Sequence, residues 1–406
     1  MGTLSSSIEA PPPPLSLRTI TLLLLIIAAG VLVRLHRIHD PITGFRPNDT
    51  AAIARNFHEN GMHLLHPQID WRGNSSGYVE SEFPLYTYFI AVLYRVLGAH
   101  DIIGRYVSIA LYALSALLLF QFCRRLFEES AALLAAFFYT IAPLAYYYTR
   151  SIQPDALLAL GSIAGVYYFW VWTEEGGIRA LLLSAVGVCT AVLIKPSNLY
   201  LGLPLAYLAW RRFGWRFLRR PELWLYAIAV ILPPVLWFRH AYGLWLTAGN
   251  TFGVFGGWVK YRAFPPDVLM AVSAAKHILY RMLILVATPV GLVLLLVGFF
   301  TRPPWRIYLL HWWAAGFSVC AVLAAKGMQV HDYYQLPAVF LAAAWMGYGV
   351  AWLWNWVRVP SRVMRPILIA ACVSVLAFSV WRWEIKIAVP GKEWDRVALA
   401  ARVHAL

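Results

Sequence analysis

Eleven apolar runs dominate the chain, at about 19–35, 102–123, 131–148, 155–172, 178–194, 197–210, 222–239, 279–300, 306–325, 335–357 and 366–382. A helix needs about 20 apolar residues, and at least roughly 17, to cross a bilayer. Only structures that satisfy their backbone polar groups internally survive in hydrocarbon. The pattern therefore predicts an all-α polytopic membrane protein with about eleven transmembrane helices. The pair 178–194 and 197–210 is short, and a re-entrant hairpin there leaves the rest of the topology unchanged. Charged residues make up 13% of the sequence, against about 25% in a soluble domain.

The net charge of +15 does not point to nucleic acid, which would need a basic face on a polar domain. The arginines instead sit in short loops between apolar runs: Arg124-Arg125, Arg211 to Arg220, Arg302 to Arg306 and Arg358 to Arg365. Cytoplasmic loops carry such an excess. One segment decides whether these loops share a side, namely 83–98 (FPLYTYFIAVLYRVLG). If it spans, Asp49 and Asp155 fall on opposite sides. If it lies in the interface, all the arginine loops land on one side and the loops with Asp49, Glu82 and Asp155 on the other. Three tyrosines and Arg95 suit the interface.

The resulting plan has a Ser- and Pro-rich cytosolic tail over 1–18, a transmembrane domain over 19–382 and an outer tail over 383–406. The first outer loop, 39–101, holds a short helix over 48–61, capped by Asn48 or Asp49 and stopped by Gly61, with Ile53 and Phe57 towards lipid. A second long outer loop covers 240–278, rich in Gly and aromatics and carrying Lys260, Arg262 and Asp267. It reads either as an aromatic belt at the interface or as a lid. The N-terminus lies in the cytoplasm, in a bacterial or archaeal cell membrane. The four cysteines, Cys123, Cys189, Cys320 and Cys372, have no paired spacing and read as small buried hydrophobes.

Acids are scarce, 19 in all, and ionisable groups near hydrocarbon are costly enough to mark function. Asp49, Glu82 and Asp155 converge on the outer side by topology alone. Each also suits a helix cap or first turn. Three carboxylates in one pocket cannot all ionise cheaply without a cation, either a divalent metal or a side chain that also grips phosphate. Arg150 and Lys195 lie at span ends, where they snorkel or hold a phosphate headgroup. His331, Tyr333 and Tyr334, in HDYYQLPAVF, are either interfacial anchors or the lining of a groove where a lipid phosphate enters. The sequence holds no Gly-rich phosphate loop, no Ser-His-Asp pattern and no metalloprotease helix.

The ordered set of first span, acidic loop with Asp49, EFPLYTYFIAVLYRVLG, GRYVSIALYALSALLLFQFCRRLF and YYTRSIQPDALLAL resembles the GT-C class of polytopic glycosyltransferases. Within it, the likeness is in particular to the protein O-mannosyltransferase and lipid A aminoarabinose transferase superfamily, clearest over residues 30–210. The resemblance implies transfer from a polyprenyl-phosphate-linked sugar donor to a hydroxyl acceptor at the outer face. It maps the catalytic acid onto Asp49, a second acid onto Asp155 and a possible metal ligand onto Glu82. Thr50 stands where the mannosyltransferase pattern has Glu, so mannose and a protein acceptor are not implied. No nucleotide or organic cofactor is expected, because the activated donor arrives through membrane lipid. The rival readings are a transporter or lipid flippase, which would place charges mid-span, and a non-catalytic subunit of an envelope-glycan complex.

Overall fold

Each of the eleven apolar runs is built mainly of helix, but they differ in how completely they could cross a bilayer. The computed structural model describes residues 14–42, 44–253, 268–301, 306, 308–356, 360–388 and 395. Among the described residues six helices are long and apolar enough to span: α1 (Leu17–Leu35), α4 (Ile102–Leu126), α7 (Asp155–Glu175), α10 (Pro221–Ala248), Asp332–Trp354, which contains α15 (Leu336–Trp354), and α16 (Ser361–Ile387). The other five runs are shorter or broken. The third divides at Ala142 into α5 (Glu129–Ile141) and α6 (Pro143–Tyr148), where Pro143 lacks the N–H to continue the ladder.

Close packing explains why the short pair exists at all. α8 (Ile178–Ile194) follows α7 through Gly176 and Gly177, both at positive φ, and lies against it through Gly161, Gly165 and Gly187. A Cβ on Gly187 would fall 2.7 Å from the Gly161 carbonyl oxygen. Small residues are how helices approach closely in a bilayer, where burial offers no hydrophobic gain. After a 3₁₀ turn at Pro196–Leu201, α9 (Gly202–Phe213) completes the sixth run. The run at 279–300 is a bent pair rather than one straight span. α11 (Val268–Arg281) passes through a π-helical turn, Met282–Ala287, and the axis breaks by 92° before α12 (Pro289–Phe300). Thr288, at φ 68°, makes the corner, and its hydroxyl accepts from the Gly291 amide at 3.3 Å. α13 (Tyr308–Leu323) and α14 (Ala325–Val330) then lead to α15 (Leu336–Trp354), almost wholly buried at the centre of the bundle.

The first long loop folds onto the end of this bundle. α2 (Phe45–Glu59) begins earlier than the sequence suggests, because Gly44 at φ 92° turns the chain into it. Asn48 and Asp49 therefore sit inside the helix and not at its cap. Ile53 and Phe57 do not face lipid; both are buried against Ile69, Val79 and Ala91. α3 (Leu85–Leu97) has 13 residues, about 20 Å of helix against roughly 30 Å of hydrocarbon. It buries Tyr86, Ile90 and Tyr94 and exposes Phe89, Val92 and Val96, as an interfacial helix does. Two short strands pair in parallel, β1 (Val79–Glu80) with β2 (Asn250–Thr251), so the first loop is tied to the segment after α10. Lys260, Arg262 and Asp267, the tail over 1–13, Arg302, Arg358 and residues 396–406 lie outside the described residues.

Candidate active site

The site is assembled from α2, the turn before α3, the start of α7 at Asp155, the end of α8 at Lys195, and the segments with Phe252 and with His331 to Tyr334. α2 carries Arg46 and Asp49 three residues apart, hence on one face. The segment before α3 is fixed by the Phe83 amide, which donates to the Leu193 carbonyl at 3.1 Å, and this brings Glu82 opposite Arg46. Asp155 opens α7 and is fully buried, while Lys195 ends α8. The closeness of α7 and α8 joins these last two in an ion pair.

Arg46 is the hub. Its Nη2 donates to Glu82 Oε1 at 2.8 Å, and its Nε stands 3.7 Å from Asp155 Oδ2. Its guanidinium carbon lies 5.0 Å from the Tyr333 ring centre. Lys195 Nζ lies 4.4 Å from the Tyr333 ring centre and 4.8 Å from that of Tyr334. Burial works against the charge on Arg46, but Glu82, Tyr333 and Asp155 outweigh it and raise its pKa. Two cations thus interleave with two carboxylates, so neither acid is left buried alone.

Asp49 stands beside this lattice without joining it. Its Oδ1 accepts from the Trp71 indole Nε1 at 2.8 Å, and its other oxygen has no hydrogen bond among the described residues. Burial raises its pKa above the usual carboxylate value, opposed by the Trp71 hydrogen bond and Arg46. A raised carboxyl pKa is the property expected of a group that must accept a proton near neutral pH. Asp49, Arg46, Glu82, Phe252, His331 and Tyr333 are among the residues lining a cavity of about 190 Å³. Burial, with Arg46 and Lys195 nearby, lowers the pKa of His331 and keeps it neutral at pH 7.

Of the residues singled out in the sequence, Asp49, Glu82 and His331 line the cavity. Asp155, Lys195 and Tyr334 lie directly behind it. Arg150 does not join them. Its Nε donates to the Arg34 carbonyl at 3.0 Å and its Nη2 to the His36 carbonyl, so it ties down the end of α1. Arg150 does not line this cavity; with Arg37 and Arg105 it lines a separate recess on the flank where α6 meets α1. Glu82 pairs with Arg46. A guanidinium occupies the place where a cation would sit, and among the described residues no three His, Cys, Asp or Glu side chains gather to hold a metal. The residues do not fit a metal centre at Glu82.

Sequence reasoning missed Arg46, Trp71 and Phe252. Arg46 had a signal, its position one helical turn before Asp49. Trp71 and Phe252 had none, because loop geometry alone brings them to the site.

Residues 81–238 match the family model described as dolichyl-phosphate-mannose-protein mannosyltransferase. No curated protein sequence matches the chain. Among solved structures, ArnT from Cupriavidus metallidurans bound to undecaprenyl phosphate superposes with a TM-score of 0.63 at 14% identity, covering 92% of this chain and 73% of ArnT. The chain has the GT-C fold. The oligosaccharyltransferase of Archaeoglobus fulgidus shares it. Its complex with Zn and sulfate gives a TM-score of 0.58 at 13% identity, over 93% of this chain. Its complex with an inhibitory peptide and a dolichol-phosphate gives 0.56 at 10% identity, over 91% of this chain. This chain covers 56% of the archaeal enzyme in both cases. The family match and the shared GT-C fold support an integral membrane glycosyltransferase.

Proposed function

We propose that this GT-C protein moves a sugar from a polyprenyl-phosphate donor to a hydroxyl acceptor at the outer face of a bacterial or archaeal cell membrane, its N-terminus lying in the cytoplasm. The observation that carries the reading is the placement of Asp49, a carboxylate with one hydrogen bond among the described residues, on the wall of a cavity that Arg46 also lines. ArnT and the archaeal oligosaccharyltransferase were solved with undecaprenyl phosphate and a dolichol-phosphate, which makes a polyprenyl phosphate the fitting donor.

In this mechanism the free oxygen of Asp49 takes the proton from the acceptor hydroxyl as its oxygen bonds to the anomeric carbon. The bond from that carbon to the phosphate oxygen breaks, and its electron pair leaves with the polyprenyl phosphate. A single displacement inverts the anomeric centre. Arg46 and Lys195 stabilise the charge that develops on the departing phosphate. Neutral His331 offers a further hydrogen bond there. Asp155 is a positioning residue, holding Lys195 and Arg46 in place. Arg46 already balances Glu82, so no step passes through a metal. A transporter reading of the broken helix pair needs charges gathered at the break, and Met282 to Phe300 contains no ionisable residue.

Purified protein supplied with polyprenyl-phosphate sugar and membrane extract as acceptor source should show transfer. Asp49→Asn should lower the turnover number by about 10²–10⁴-fold while leaving the melting temperature unchanged. Full activity in that variant would sink the assignment.

A further inference from the structure

The cavity is small for everything the reaction must bring together. At about 190 Å³ it is below the roughly 300–1,000 Å³ of sites that enclose a drug-sized ligand. Filled by the transferred sugar and its phosphate, it leaves the acceptor outside, at the mouth beside Asp49. What stands at that mouth is aromatic. The Trp71 ring, whose N–H binds Asp49, is 53% exposed. Phe252 lies 6.1 Å from it, centre to centre, with the ring planes 47° apart.

Neither ring hangs on a loose loop. The Phe252 amide donates to the Glu80 carbonyl at 2.9 Å, continuing the pairing of β1 with β2. Asn250 Nδ2 donates to Ser75 Oγ and to the Tyr78 carbonyl, both at 3.0 Å. On the other flank Asp70, next to Trp71, accepts from Arg55 and from Asn56 Nδ2, the latter at 3.0 Å. A wet, rigid aromatic face is thus held at fixed distance from the proton acceptor, with polar groups along its edge.

A pyranose or furanose ring matches that surface. Its C–H face carries partial positive charge towards the negative face of an aromatic ring, while its hydroxyls project sideways to polar partners. An extended peptide or a lone lipid alcohol offers no comparable flat face. We propose that Trp71 and Phe252 form the platform for the acceptor and that the acceptor is a carbohydrate, one of whose hydroxyls reaches Asp49. The proposal rests on the glycosyl-transfer reading, and it narrows the acceptor from any hydroxyl to a sugar hydroxyl.

The test separates the two. Full-length protein labelled with 5-fluorotryptophan is placed in lipid nanodiscs without donor, and the Trp71 fluorine resonance is assigned by its loss in Trp71→Phe. The probes are free hexoses, pentoses and N-acetylhexosamines, with a serine- and threonine-containing peptide and glycerol as contrasts. At least one sugar should shift the Trp71 resonance, and the peptide and glycerol should not. Thermophoresis should show sugar affinity falling about tenfold in Trp71→Ala, the equivalent of about 1.4 kcal/mol, and largely kept in Trp71→Phe, which retains a ring face. No shift with any sugar, a shift with the peptide instead, or broadening of Trp71 by spin-labelled lipid would overturn the platform, the last by making Trp71 a membrane anchor. Because donor is absent, these outcomes do not depend on turnover, and Asp49→Asn tests the transfer reading independently.

Discussion

Two groups of arginines sit at the same end of the bundle and are used in opposite ways. In the cavity, Arg46 meets carboxylates, Glu82 and Asp155. On the neighbouring flank, Arg34, Arg105 and Arg150 meet backbone carbonyls. Arg34, fully buried, donates to the Gly30 and Thr140 carbonyls and to the Thr149 hydroxyl, with its guanidinium carbon 3.5 Å from the Tyr112 ring centre. Arg105 reaches the carbonyls of Ile38 and Asp40, and Arg150 those of Arg34 and His36. The Thr140 carbonyl is available because the helix breaks at Ala142. Carbonyl-bound arginines cap the frayed end of α1 and satisfy groups that hydrocarbon would leave stranded. A carboxylate-bound arginine can instead share its charge with an arriving phosphate. The same side chain therefore meets carboxylates or carbonyls according to which acceptor the fold offers it.

The sharpest way to break this contrast is Arg46→Ala. Transfer should fall by about 10²–10³-fold in the folded fraction. Activity near wild type would show that Arg46 only neutralises Glu82. Arg150→Ala should do the reverse. It should cost about 1–3 kcal/mol by leaving two carbonyls without their donor, seen as a lower melting temperature, while the folded fraction keeps its turnover. A selective loss of donor binding in Arg150→Ala would erase the distinction between the two groups.

The smallest effect concerns pH. The Asp49 carboxyl titrates above the usual carboxylate range, chiefly through burial, and it must be ionised to accept a proton. Transfer should therefore decline as pH falls through that raised pKa and stay flat above it until another group titrates. Trp71→Phe removes a hydrogen bond that favours the charged form. The acid limb of the rate profile should then move to higher pH, and an unmoved limb would mean that Asp49 is not the titrating base.

Much of the plan was legible in advance. Apolar runs of spanning length announce helices, because lipid forbids unsatisfied backbone, and the expectation that the arginine loops share one side had residues 83–98 lying flat. That expectation placed Asp49, Glu82 and Asp155 at one end, where the structure has them. Arg150 illustrates the limit. From sequence it and Lys195 look alike, each a cation at the end of an apolar run. Only the approach of α6 to α1 hands Arg150 to carbonyls, and only the glycine contact of α7 with α8 hands Lys195 to Asp155.

The chain's linear order therefore determined that it lives in a membrane and which of its acids are rare. Tertiary structure decided which cation meets which anion, and that a tryptophan and a phenylalanine some 180 residues apart meet beside Asp49. The physical reason is range. Hydropathy acts residue by residue against a fixed slab of lipid and can be read along the chain. Charge pairing and ring packing act over a few ångströms between segments that only folding brings together.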